Sequence, residues 1–288
     1  MCKKLHSNYQ EYIGMPSMKI STRHVALVAV FASLYYILSI ISPYIPAIGV
    51  PDLKIKLEAL IASVFGIILG PYLGAFAAFL GALVSWFLPP GSMSPYGAPF
   101  LLSPPINALV VGLIFYRKWQ WAFSIFGALI LAFLFSPPSQ PITGYSQIFD
   151  PYNPSNAYTI PIYYVPAAVL WDKVIALLLI LPTVKFAKRL CNPKGIPIMF
   201  FLLTFIGNQA DNMWGCNAFA IPLVYESIFG LPLEVVRFLF LVSPFIYPAI
   251  RLVQAILATA IAVPIVRTLK NTEWIVAEKS IMEEDVKQ

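Results

Sequence analysis

The chain has 288 residues, 59% of them hydrophobic and only 11% charged, with a mean hydropathy of +0.77 and a formal net charge of +6. A soluble domain carries about 25% charged residues, so the composition excludes an ordinary soluble enzyme or binding module and identifies an integral membrane protein. The basic balance does not imply nucleic acid, because in a membrane protein lysine and arginine mark the cytoplasmic side.

Residues 1–22 are polar, carry Lys3, Lys4 and Lys19, and read as a cytoplasmic segment. The first apolar run, His24 to Tyr44, is too long for a signal-peptide core and predicts a first span. Small residues line it at Ala26, Ala29 and Ser33. Ala29 and Ser33 are four apart, a small-xxx-small pair that admits a second helix closely; ordinary packing inside the bundle is the alternative. A polar loop with Asp52, Lys54 and Lys56 follows. Leu57–Leu69 and Tyr72–Leu88 predict two spans around a Gly70-Pro71 turn. Gly70, Gly74, Ala78 and Ala82 recur every four residues and favour close helix contact. Glu58 either snorkels at the end of its span or meets a solute.

Residues 89–104, rich in Pro, Gly and Ser, predict an outer loop. Pro105–Tyr116 is a short fourth segment whose Asn107 caps it or faces the interior. Arg117-Lys118 marks a cytoplasmic turn, and Trp119–Ser136 is the fifth segment. Residues 137–163 form the longest outer loop, of the kind that is disordered or acts as a lid. Tyr164–Val184 is the sixth span and holds Trp171, Asp172 and Lys173. Adjacent helical residues point about 100° apart, so these two charges are poorly placed to pair, and each needs a partner elsewhere or an aqueous cavity. The basic stretch KFAKRLCNPKG leads into a seventh span ending near Ala220. After an outer excursion over 221–235 and a break at Pro244 and Pro248, Phe245–Val266 is the eighth span. It carries Arg251 and Gln254, and residues 271–288 form a cytoplasmic tail.

With both termini inside, the cytoplasmic segments hold 14 of the 19 lysines and arginines, which supports an even number of spans. The expected fold is an all-α polytopic transmembrane bundle of six to eight membrane segments, residues 23–270, in the cell membrane. The cysteines Cys2, Cys191 and Cys216 lack metal-type spacing, and the histidines are His6 and His24 alone. No metal site is expected.

The seventh span is interrupted by GNQADNMWGCN, residues 207–217. Asn208, Gln209, Asp211, Asn212 and Asn217 are all costly in hydrocarbon. Asn208, Asp211, Asn212 and Gly215 share one helical face. Asp172, Lys173, Arg251 and Gln254 are expected at the same depth, in the outer half, with Asp211–Arg251 or Asp172–Arg251 as ion pairs. Amides supply both donors and acceptors, and Trp171 and Trp214 can stack on a flat ring. The candidate solute contacts are therefore Asn208, Asp211, Asn212, Trp214, Asn217, Asp172, Trp171, Arg251 and Gln254. The alternative is that the ion pairs only hold the bundle together.

Three stretches resemble the S components, the substrate-binding subunits, of energy-coupling factor (ECF) vitamin transporters. They are STRHVALVAVFASLYYILS, the hairpin IILGPYLGAFAAFLGALVSWF, and the late polar helix GNQADNMWG with its basic-ended successor. The resemblance implies a bundle, typically of six helices, that captures a vitamin or related micronutrient from outside. It implies docking on a transmembrane coupling protein driven by two ATPases, with Ala26, Ala29 and Ser33 nearest to the family's AxxxA contact. Ser33 departs from that pattern, and eight apolar segments depart from six. No cofactor is expected in the chain, which lacks G-x-x-x-x-G-K-[ST]; ATP would be used by the partner ATPases. Two other classes stay open: a stand-alone ion-coupled transporter, for which no inverted repeat is evident, and a membrane-embedded enzyme, for which no HExxH, paired-aspartate or Ser/His arrangement is evident.

Overall fold

A computed structural model describes residues 22–41, 44–47, 50–56, 60–89, 91–150, 153–190, 195–242 and 244–269. Glu58, Cys191, residues 1–21 and the tail from 270 onwards lie outside them. The order is α1 (Thr22–Ile41), β1 (Tyr44–Ala47), β2 (Val50–Lys56), α2 (Ile61–Leu69), α3 (Pro71–Phe87), α4 (Ser103–Phe115) and α5 (Trp119–Leu134). Then come β3 (Tyr145–Asp150), β4 (Asn153–Pro161), α6 (Tyr164–Lys185), α7 (Ala187–Leu190), α8 (Ile196–Phe219), α9 (Leu233–Val242) and α10 (Ile246–Leu269). A π-helical turn at Leu223–Ile228 joins α8 to α9.

Four of these helical stretches are long and apolar enough to cross a membrane: Thr22–Ile41, Ala98–Phe115, Tyr164–Lys185 and Ile246–Thr268. The helix α8 has 24 residues, and its polar run keeps it from being uniformly apolar. Every residue of α2 is buried. Its nine residues reach about 14 Å, roughly half of a bilayer core. A helix that is apolar on all sides belongs inside a bundle, and α2 sits there, ringed by α3, α4, α8 and α10.

Glycine makes this packing possible. Gly70 has φ +86 between α2 and α3, and Pro71 opens α3 with its fixed φ. A Cβ on Gly66 would collide with the Ala108 backbone of α4, one on Gly112 would meet Pro71 at 2.6 Å, and one on Gly74 would meet the Phe65 carbonyl at 2.6 Å. Helices α2, α3 and α4 therefore touch almost backbone to backbone. The small-residue stripe, Gly70 to Ala82, acts in packing.

The all-α expectation needs one correction. Two antiparallel hairpins, β1–β2 and β3–β4, stand where irregular loops were expected. Tyr145, Ile148, Phe149, Tyr158, Thr159 and Ile160 have strand-favouring side chains, and pairing satisfies the backbone groups. Arg237 of α9 fastens the second hairpin. Its guanidinium donates to the carbonyls of Pro137 (3.2 Å), Pro138 (3.2 Å) and Gln140 (2.6 Å), and to Ser146 Oγ (2.6 Å). Burial pulls this guanidinium below its ordinary pKa, while Glu234 and Tyr225 push back.

Candidate functional site

Helix α8 is the axis on which the polar groups converge. From Leu203 to Met213 every residue is buried, the polar run included. One of its faces meets α4. There Ser63 Oγ of α2 donates to Asn107 Oδ1 at 2.7 Å, and Asn107 Nδ2 donates to Asn208 Oδ1 at 2.9 Å. Gly207 permits the approach, since a Cβ there would collide with the Asn107 side chain and Val111. Asn107 thus faces the interior and does not cap its helix.

A turn further along α8, Asp211 meets α10. Its Oδ1 lies 3.6 Å from Arg251 Nη2. Arg251 Nη1 donates to Gln254 Oε1 at 2.8 Å. Deeper on α8, Thr204 Oγ1 donates to the Phe200 carbonyl of its own helix at 2.8 Å and lies 3.2 Å from the Ala255 carbonyl of α10.

The expected Asp211–Arg251 pair forms. The Asp172–Arg251 alternative does not; Asp172 pairs with its own neighbour. Lys173 Nζ lies 2.9 Å from Asp172 Oδ1, and the Lys173 backbone N–H donates to the same oxygen at 3.0 Å. The expectation that these adjacent residues are poorly placed to pair is corrected. It rested on Cβ directions, whereas the flexible four-carbon stem of lysine carries its ammonium back to the preceding carboxylate.

Three further candidates are engaged in joining elements. Trp214 Nε1 donates to the Pro99 carbonyl at 3.1 Å, Asn217 Nδ2 to the Leu129 carbonyl at 2.9 Å, and Trp171 Nε1 to the Pro244 carbonyl at 3.0 Å. Asn212 is buried as well, with Cys216 Sγ 4.0 Å from its Oδ1.

Four buried atoms on α8 find no hydrogen-bond partner among the described residues: Asn208 Nδ2, Gln209 Nε2, Gln209 Oε1 and Asp211 Oδ2. Such atoms are rare and costly. The four comprise two donors and two acceptors within four residues of the helix. The selection by one shared face omitted Gln209, which lies about 100° round from Asn208; its place inside the polar run was the available signal. Ser63 and Asn107 were also missing from the candidate residues, because their link to Asn208 shows only once α2, α4 and α8 are in contact. Among the described residues no group of three His, Cys, Asp or Glu is placed to hold a metal.

Residues 19–136 match the family model described as "ECF-type riboflavin transporter, S component". No curated protein and no solved structure is significantly similar to the chain. The matched region runs from the start of α1 through α5, and so includes two of the three stretches that carried the resemblance. Over these residues, fewer than half of the 288, the chain is similar to the S components of ECF-type transporters.

Proposed function

We propose that the chain captures riboflavin, or a closely related flavin, from outside the cell and hands it to a coupling protein driven by two ATPases. The observation that carries this reading is the set of unpartnered buried polar atoms on α8. Asn208, Gln209 and Asp211 offer donors and acceptors that a heterocyclic amide edge can satisfy. The description of the matching family supplies the solute. The distribution of lysine and arginine favours a site open to the outside. Ala26, Ala29 and Ser33 are all exposed on α1, which leaves them free to meet the coupling protein through a small-residue contact. Asn212, Arg251 and Gln254 complete the wall around Asp211. Trp214 and Asn217 follow Asp211 along α8, while Asp172 and Trp171 lie on α6.

The test is titration of riboflavin into the detergent-purified protein, read by quenching of flavin and tryptophan fluorescence. Saturable quenching that Asp211→Ala abolishes is the expected result. No response to riboflavin would overturn the choice of solute, and none to a wider vitamin panel would count against capture of vitamins. The buried pairs Asp172–Lys173 and Asp211–Arg251 also suit a second reading, a stand-alone ion-coupled carrier. Uptake into liposomes driven by an ion gradient, with no ATPase present, would favour that carrier.

A further inference from the structure

We infer that Asn107 is a positioning residue that fixes which end of the Asn208 amide is offered to the solute. The inference rests on the reading of α8 as the solute wall. A primary amide can present either its N–H2 or its oxygen, and nothing within α8 itself selects between them. In the structure the contact with Asn107 of α4 makes that selection. Ser63 Oγ donates to Asn107 Oδ1 at 2.7 Å, which leaves Asn107 its Nδ2 to donate onward, and it does so to Asn208 Oδ1 at 2.9 Å. Asn208 Oδ1 is thereby occupied, and its Nδ2 is the atom left without a partner among the described residues.

The polarity matters because of the next turn. Asp211 lies three residues along, so it and Asn208 stand on one face of α8. Its Oδ2 is the second unpartnered atom, and a carboxylate oxygen only accepts. The wall therefore reads, in order, donor then acceptor. The matching solute edge carries an acceptor beside a donor, as a C=O next to a ring N–H does. If the relay ran the other way, Asn208 would present an acceptor and the wall would offer two acceptors in succession. Ser63 and Asn107 are fully buried, so both act through Asn208. Gly207 is part of the device, because a side chain there would displace Asn107.

Two measurements test this on the full-length protein in detergent. The first needs no ligand: exchange of side-chain amide protons followed by NMR. Asn107 Nδ2 protons should exchange at least about tenfold more slowly than those of Asn208, since only the former are held in a buried hydrogen bond. The opposite order means that the relay runs the other way and overturns the inference. The second compares riboflavin with its thiocarbonyl analogues, in which a weak C=S acceptor replaces C=O. Wild type should prefer riboflavin by about tenfold, the scale of one hydrogen bond. Asn107→Leu should shrink that preference to about twofold, the residual expected once the orienting bond is gone. The milder Ser63→Ala, which guards against a misfolded first variant, should shrink it in part. Loss of affinity for both probes alike, with the preference intact, would make Asn107 merely structural and would sink the proposal. Absence of any flavin binding by wild type would defeat the functional reading instead, and the exchange order would then decide the relay alone.

Discussion

Arg251 leans on Asp211 without closing on it. The guanidinium is 3.6 Å from one carboxylate oxygen, while its other arm is held by Gln254 at 2.8 Å. The second carboxylate oxygen has no partner among the described residues. Arginine–carboxylate pairs are frequently bidentate. This one leaves capacity on the acid.

Breaking the pair and deleting it should therefore have different consequences. Asp211→Ala strands a buried cation and should cost about 3–5 kcal/mol, together with solute binding. The double variant Asp211→Leu with Arg251→Met removes both charges and should recover most of the stability, but none of the binding. Thermal unfolding in detergent and flavin quenching, measured on the same samples, separate the two effects. Recovery of binding in the double variant would count against a role for Asp211 in recognition.

The Asp172–Lys173 pair is closed on itself, with two contacts to one carboxylate. Lys173→Met alone should destabilise the protein, because it leaves a buried carboxylate unpaired. Asp172→Leu combined with Lys173→Met should be close to neutral in thermal unfolding. Riboflavin affinity should change by less than about threefold, as expected of a site without shared partners. A large loss of affinity would move this pair into the solute wall.

Glycine positions give a paired test of packing. Gly66→Ala drives a methyl into the Ala108 backbone, so a loss of about 1–3 kcal/mol or more is expected. At Gly127 of α5 a methyl would meet nothing within 4 Å. There alanine should stabilise the helix by about 0.5–1 kcal/mol. Similar melting temperatures for the two variants would contradict the close contact of α2 with α4.

Arg237→Met removes all four donations to the second hairpin and its root. Limited proteolysis should then cut within 137–161 faster than in wild type, while α8 and its binding face stay intact. Arg237→Lys, a point charge without the planar fork, should fall between the two. Equal cleavage rates would show that strand pairing alone holds the hairpin.

Helix positions were largely legible because apolar runs, prolines and basic turns punctuate this chain: α5 and α6 begin at the expected Trp119 and Tyr164. The convergence of Asp211, Arg251 and Gln254 was legible as well, from their matched depth in neighbouring spans. The hairpins were not, since Pro and Asn in 137–163 mask a short β pattern at Tyr145–Asp150. Nor were the partners of Trp214 and Asn217, which are backbone carbonyls of Pro99 and Leu129. A carbonyl is present at every position and leaves no mark in the sequence. The closure of Asp172 on Lys173 depended on a side-chain rotamer, which residue spacing does not encode.

The buried charges of α6, α8 and α10 have an electrical consequence. Asp172 and Lys173, like Asp211 and Arg251, cancel in pairs. One elementary charge crossing the membrane potential involves about 2.3 kcal/mol per 100 mV. Where a cation moves together with its anion, the bundle shifts these groups through the field with almost no electrical work. The voltage across the membrane would then neither drive nor resist that movement, and the energy for it would have to come from elsewhere.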